Sequence, residues 1–320
     1  MRAAVLEQID TDLRLRELPD PIARGSEVVV EVRGAGVCHT DLGLVAGTGS
    51  ATRLPLVPGH EVAAHDEQLG DVLVYFAWGC GRCEWCRSGE EQLCPRADYA
   101  GFTRDGGYAE LMLVPDRRYL LPLNGLDPVQ AAPLADAGLV AFRVVRRITG
   151  WLRPGDPVVV RGAGGFGQFA VQYLKLWTSA RVVAVDVSEH KRARALQLGA
   201  DEALAPEDLA DPARVVLDFV MTEETLAKDA EIVAPGGVVV AVGEGRTSVS
   251  ISSWPYESYL TNALLGSLDD LRAVLELARG GELDWHVEAV PLEHANEALA
   301  RLRRGEVRGR LVLAPDAGRA

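Results

Sequence analysis

The chain has 320 residues, 48% of them hydrophobic and 25% charged, the composition of an ordinary globular protein long enough for two domains. Its formal net charge of −13, with no basic run carrying interleaved aromatics, argues against nucleic acid or an anionic membrane as a partner. No stretch of about 18 apolar residues occurs and the first residues are regularly acidic, so the expectation is a cytoplasmic protein with no membrane segment.

The first predicted elements are short. EVVVEV (27–32), DVLVYF (71–76) and YAELMLV (108–114), separated by Gly, Pro and Asp, predict a strand-rich, barrel-like domain. Between them, GVCHTDLG (36–43) carries Cys38, and PGHEV (58–62) carries His60 and Glu61. A thiolate, an imidazole and a carboxylate can hold three corners of a zinc ion. Each also has an ordinary reading, as a small buried cysteine or a hydrogen-bonded histidine.

Residues 79–95, GCGRCEWCRSGEEQLCP, hold Cys80, Cys83, Cys86 and Cys94 in the spacing C-x2-C-x2-C-x7-C. In a reducing compartment clustered cysteines are metal ligands rather than disulfides. Four thiolates suit one tetrahedral zinc and leave no open position for chemistry. An iron–sulfur cluster is the alternative, since Pro95 follows the last cysteine, but ferredoxin runs place three residues before that cysteine rather than seven. A closed site of this kind braces a loop, so the chemistry is expected elsewhere.

Near residue 137 the pattern changes to apolar strands alternating with helical stretches, which predicts a parallel sheet covered on both faces. VVV (158–160) leads into GAGGFGQFAVQYLKLW (162–177), then RVVAVDV (181–187), the helical 188–199, VVLDFV (215–220), the helical 222–237 and VVVAVGEG (238–245). Gly162, Gly164 and Gly167 satisfy G-x-G-x-x-G after a strand and before a helix, giving a tight turn, a close approach to a pyrophosphate and close helix packing. Asp186 ends the next strand, where a carboxylate accepts hydrogen bonds from an adenosine ribose and repels a 2′-phosphate. NAD is therefore expected over NADP, with Lys191 and Arg192 nearby keeping NADP open. A glycine turn with Asp186 capping a helix is the other reading. VVVAVG and SVSIS (248–252) are expected to supply a sheet edge for subunit contact, and SLDDLRAVLELARGG (267–281) is predicted as the last helix before the strand GRLVLAP (309–315).

In this order CHTD, PGHE, the four-cysteine spacing, GAGGFG, VAVD, ARGGEL and GRLVL resemble the zinc-dependent medium-chain alcohol dehydrogenases over nearly the whole chain. The resemblance implies an α/β protein: a Rossmann-type doubly wound parallel sheet (137–266) plus a β-rich GroES-like barrel domain (1–136 and 267–320). It makes the four-cysteine lobe a structural zinc site. It implies catalytic zinc ligands at Cys38 and His60, with Glu61 as an alternate or transient ligand. The third ligand in many members is a cysteine, but all five cysteines here are assigned, and Asp136 in PLADAGL stands at the matching position. Carboxylate for thiolate keeps the charge sum of ion plus ligands, and the harder oxygen makes zinc a stronger Lewis acid. Asp136 as a helix N-cap beside an empty site is the alternative.

The resemblance further implies that Thr40 hydrogen-bonds the substrate oxygen and starts the proton path, that Asp41 orients His60, and that His39 and Arg310 are candidates for the cofactor pyrophosphate. Gly165 and Phe166 complete the cofactor loop. Gly43 stands where several members have a relay histidine, and the link from Glu61 to Cys80 is short, which suggests trimmed strands and a reshaped pocket. Leu44, Trp78 and Phe102 line that pocket or belong to the core. The implied activity is zinc- and NAD-dependent interconversion of a small-molecule alcohol and its aldehyde or ketone, by a homodimer or homotetramer. A same-fold reductase of an imine or activated C=C bond with catalytic zinc absent or idle, and a non-catalytic dinucleotide-binding scaffold, are the alternatives.

Overall fold

Apolar and polar residues alternate along Val28–Gly36, so one face of this nine-residue strand is buried and the other reaches the surface. It is the centre of a seven-stranded sheet in which Val287–Pro291, Arg310–Ala314, Val28–Gly36, Glu61–Asp66, Gly70–Val74 and Leu120–Pro122 lie side by side, with Leu111–Val114 also paired to Val28–Gly36. The computed structural model describes residues 1–48, 53–243, 247–250 and 254–315. They fall into two units, Met1–Leu139 with Gly266–Ala320, and Val140–Leu265. The helix Ala137–Ile148 runs across the first boundary.

The short link after Glu61 has a local cause. Asp66 Oδ1 accepts the N–H groups of Gln68 (3.1 Å) and Leu69 (2.9 Å), and Gly70 takes a positive φ of 71°, so Glu61–Asp66 turns directly into Gly70–Val74.

In the second unit the four central strands are rich in buried valine, as a sheet covered on both faces requires, while the two outer strands are not. Their order is Glu202–Leu204, Arg181–Val185, Pro157–Arg161, Ala213–Asp218, Val233–Val242, Tyr259–Ala263, all parallel. Chain direction across the sheet reverses beside Pro157–Arg161, which puts the glycine loop at the switch point where dinucleotides bind.

Several expectations need correction. The helix expected over 222–237 ends at Ile232, and Val233 already belongs to the next strand, because Pro235 and the positive φ of Gly236 (71°) cannot continue a helix. The segment 238–242 is no sheet edge: it is paired on both sides, and Tyr259–Ala263 is the edge strand. In SVSIS, residues 251 and 252 lie outside the described residues. The helix Leu268–Arg279 is not the last, since Ala295–Arg303 follows it, burying Ala295, Ala298, Leu299 and Leu302 on one face. Among the described residues no helix is long and apolar enough to cross a membrane.

One buried charge cluster in this unit predicts a pH dependence. Arg161 Nε donates to Asp229 Oδ1 at 2.7 Å, with Asp218 buried alongside. Burial pushes the Asp229 carboxyl up to about 7, with Asp218 adding to the rise and Arg161 opposing it. An unfolded aspartate ionises near about 3.9, so between that value and about 7 the folded chain holds the extra proton and loses stability as pH rises. Denaturant titrations at pH 5 and pH 8 should show this decline, and Asp229→Asn, which cannot ionise, should reduce it; equal slopes in parent and variant would contradict it.

Candidate active site

The helix His39–Val45 begins at Cys38, whose backbone is extended, and Asp41 closes its capping box by accepting the Cys38 N–H on Oδ2 at 2.9 Å. This fixes where the Cys38 thiol points. Across the sheet, Gly36 pairs with Glu61, and a Cβ on Gly36 would lie 1.9 Å from Glu61 Oε2, so only glycine leaves room for that carboxylate. Asp136 follows the single turn Ala132–Ala135 and precedes a helix. Together these elements bury Cys38, His60, Glu61 and Asp136 with one ligand atom from each within 4.8 Å of the others.

The distances suit a metal. Asp136 Oδ2 is 3.6 Å from Cys38 Sγ and 3.5 Å from His60 Nε2. Tetrahedral zinc with ordinary bond lengths would set those edges at about 3.6 and about 3.4 Å. Two anionic ligands and a neutral imidazole balance a divalent ion, so the residues fit the group. One Glu61 oxygen accepts the Arg310 guanidinium, and Oε2 has no hydrogen-bond partner. Burial pushes the Glu61 carboxyl up to about 7, against the pull of Arg310. Burial works against a charged His60, but Asp41 and Asp136 outweigh it and raise its pKa well above the usual imidazole value. Thr40 Oγ1 lies 3.5 Å from Cys38 Sγ, at the rim of the same cluster.

A second cluster joins Cys80, Cys83, Cys86 and Cys94. Cys83 and Cys86 sulfurs are 3.5 Å apart and those of Cys80 and Cys86 4.0 Å, near the about 3.8 Å edge of a zinc tetrathiolate. The backbone N–H of Arg82, then that of Cys83, holds the Cys80 thiol down at about 5, and Arg96 Nη2 donates to the same sulfur at 3.3 Å.

In the second unit Gly162 takes a φ of 86° at the turn out of Pro157–Arg161, and the helix Gly167–Trp177 starts five residues later. A Cβ on Gly167 would sit 2.0 Å from Gly162 O, so the helix packs against the turn with no side chain between them. A Cβ on Gly164 would meet nothing nearer than Lys191 Nζ at 3.7 Å, leaving the backbone open to a ligand. Both Asp186 oxygens accept backbone N–H groups, from Ala163 (3.0 Å) and Ser188 (2.8 Å), which aims the carboxylate along the loop. Arg192 donates to the carbonyls of Asp186 (2.8 Å) and Val187 (3.1 Å). Phe166 lies 5.8 Å from the Phe219 ring.

Of the two candidates for a pyrophosphate contact, His39 is exposed at the start of its helix, whereas Arg310 is 4% exposed with its guanidinium committed to Glu61. Leu44, Trp78 and Phe102 are all buried, and of these Phe102 meets the cluster through its ring, 5.0 Å from His60. Phe76, which sequence reasoning missed, meets the same ring edge-on, 5.2 Å from His60 between ring centroids. Gly36 was missed as well, because a glycine inside a predicted strand gives no hint of which carboxylate needs its space.

Residues 24–125 match the family described as alcohol dehydrogenase GroES-like domain, and residues 165–279 the zinc-binding dehydrogenase family. The chain is 34% identical to D-arabinose 1-dehydrogenase (NADP+) of Saccharolobus solfataricus, over 98% of this chain and 97% of that one. It is 34% identical to an NAD-dependent alcohol dehydrogenase of Sulfolobus acidocaldarius, over 98% and 99% of the two chains. Among solved structures, the alcohol dehydrogenase of Aeropyrum pernix superposes with a TM-score of 0.92 at 33% identity, covering 98% of this chain and all (100%) of that one.

Proposed function

Since the chain belongs to the zinc-dependent medium-chain alcohol dehydrogenases, we propose that Asp136 is the third protein ligand of its catalytic zinc, beside Cys38 and His60. The protein is an oxidoreductase that uses zinc and NAD and interconverts an alcohol with its carbonyl compound. The observation that carries the ligand assignment is the position of Asp136 Oδ2, 3.6 Å from the Cys38 sulfur and 3.5 Å from His60 Nε2.

When bound, zinc supplies Lewis acidity at the substrate oxygen and the nicotinamide takes or returns the hydride. The chain's own residues do the rest. Asp41 holds the His60 ring with Nε2 turned toward Asp136, and Phe76 and Phe102 cover that ring against water. Thr40 Oγ1 takes the proton that the alcohol gives up, and with Gly43 in place of a histidine the proton leaves through solvent, the cofactor ribose or His39. Glu61 is held beside the cluster by Arg310 as an alternate ligand. Gly162, Gly164, Gly165, Phe166, Gly167 and Asp186 hold the dinucleotide, and Asp186 favours NAD.

Thr40→Val is expected to lower kcat about 100-fold, the smaller end of what a positioned proton acceptor contributes, without changing zinc content. An unchanged kcat would remove Thr40 from the proton path. The reaction itself is tested by NADH formation with primary alcohols, secondary alcohols and aldoses; NADH consumption with imines or enones alone would favour the reductase reading. The same reading makes the protein a cytoplasmic homodimer or homotetramer, and a monomer mass by light scattering would contradict that assembly.

A further inference from the structure

Beneath the catalytic cluster lies a tyrosine that the alcohol–carbonyl reaction does not use. Residues 106–108 run alongside 57–59: Gly106 N–H donates to Val57 O (2.8 Å), Gly107 N–H to Gly59 O (2.8 Å) and Tyr108 N–H to Pro58 O (2.9 Å). The Tyr108 ring lies against Gly59, where a Cβ would fall 2.4 Å from Tyr108 Cδ1. Gly59 itself has a φ of 96°, so the glycine before His60 serves both the turn and the ring. Tyr108 is 0% exposed, and its hydroxyl donates to Asp41 Oδ2 at 2.8 Å.

That oxygen thus receives two donors, the Tyr108 hydroxyl and the Cys38 N–H. With Oδ2 held by both donors, Oδ1 lies 3.3 Å from His60 Nδ1. Asp41 Oδ1 and His60 Nδ1 are both buried and neither makes a hydrogen bond, so the 3.3 Å ion-pair approach between them is what relates the orientation of one to the other. We propose that Tyr108 is a positioning residue for the metal centre: it sets the rotation of Asp41, which sets the His60 ring and so the direction of Nε2 toward Asp136. Groups behind a metal's ligands fix tautomer and ring orientation, and losing them costs about 10–100-fold in metal affinity. The proposal rests on Cys38, His60 and Asp136 being the ligand set, and the experiment separates the two.

The full chain is stripped of metal and titrated with Co2+ and with Zn2+ against a competing chelator, following the cobalt absorption bands, for the parent, Tyr108→Phe and Tyr75→Phe. Tyr75 is an equally buried phenol in the same unit whose hydroxyl donates to Gly266 O at 2.9 Å, and it controls for the loss of any buried hydroxyl. The expected result is that Tyr108→Phe weakens one of two metal ions by about 10-fold or more and shifts its cobalt bands, leaving the tetrathiolate bands alone. Tyr75→Phe should match the parent. A parent that binds one metal defeats the ligand set; a parent that binds two while Tyr108→Phe holds both alike overturns the role of Tyr108. Should Tyr108→Phe not fold, 4-fluorophenylalanine at 108 fills the hydroxyl's volume without its proton, and the same titration applies. If that variant also fails to fold, the hydroxyl serves the fold alone and the proposal is overturned.

Discussion

Asp136→Ala is expected to bring the zinc content from about two ions per chain to about one and to cut kcat/KM about a thousandfold, with the overall fold retained. The magnitude follows from the several kcal/mol that a Lewis acid contributes, at about 1.4 kcal/mol per decade of rate. The zinc loss follows from charge. Without Asp136 the cluster keeps a single anionic ligand, the Cys38 thiolate, beside the His60 imidazole, while Glu61 has one oxygen tied to Arg310. Asp136→Asn keeps the shape and removes the charge, so it should also lose zinc; Asp136→Cys restores a thiolate and should keep it. Retention of two zinc ions by the alanine and asparagine variants would show that Asp136 is not a ligand.

The second large effect concerns the glycine loop. Gly167→Ala would put a Cβ 2.0 Å from Gly162 O and 2.9 Å from Gly162 C, backbone atoms that cannot rotate aside. The helix must then move off the turn, at a cost of about 1–3 kcal/mol in stability, and NAD affinity should fall about a hundredfold. Gly164→Ala provides the contrast, because its Cβ meets only the tip of Lys191 at 3.7 Å. Unfolding should be unchanged in that variant while NAD binding, followed by NADH fluorescence, is lost. NAD binding retained by Gly164→Ala would mean that the open space over Gly164 is not kept for a ligand. Zinc content should stay at the parental value in both.

The second unit was the more legible from sequence, for a physical reason. Strands buried on both faces read as valine runs, and the helices Glu189–Gln197 and Glu223–Ile232 announce themselves by a serine or threonine at the N-cap. The helix Ala295–Arg303 was missed because it starts at His294 with no side-chain cap and carries small alanines on its buried face. The edge strand Tyr259–Ala263 was missed because its residues are mostly exposed and show no apolar run. At the site, the residue types that chemistry demands, Cys38, His60, Glu61 and Asp136, were recognised before any geometry. Their supports were not: Gly36, Phe76 and Tyr108 look like strand residues in the sequence, and only the pairing of 106–108 with 57–59 brings a phenol under Asp41. Arg310 stood in a strand signature that resembled a cofactor contact, and only the register of Arg310–Ala314 beside Val28–Gly36 reveals Glu61 as its partner.

Zinc per chain, determined by elemental analysis on the full-length parent purified without chelators, tests the central claim most directly. Two filled tetrahedral sites, one of four thiolates and one of Cys38, His60 and Asp136, predict about two ions per chain. About one ion per chain would mean that only the four-cysteine lobe holds metal, and would contradict alcohol–carbonyl chemistry at a zinc held by Cys38, His60 and Asp136.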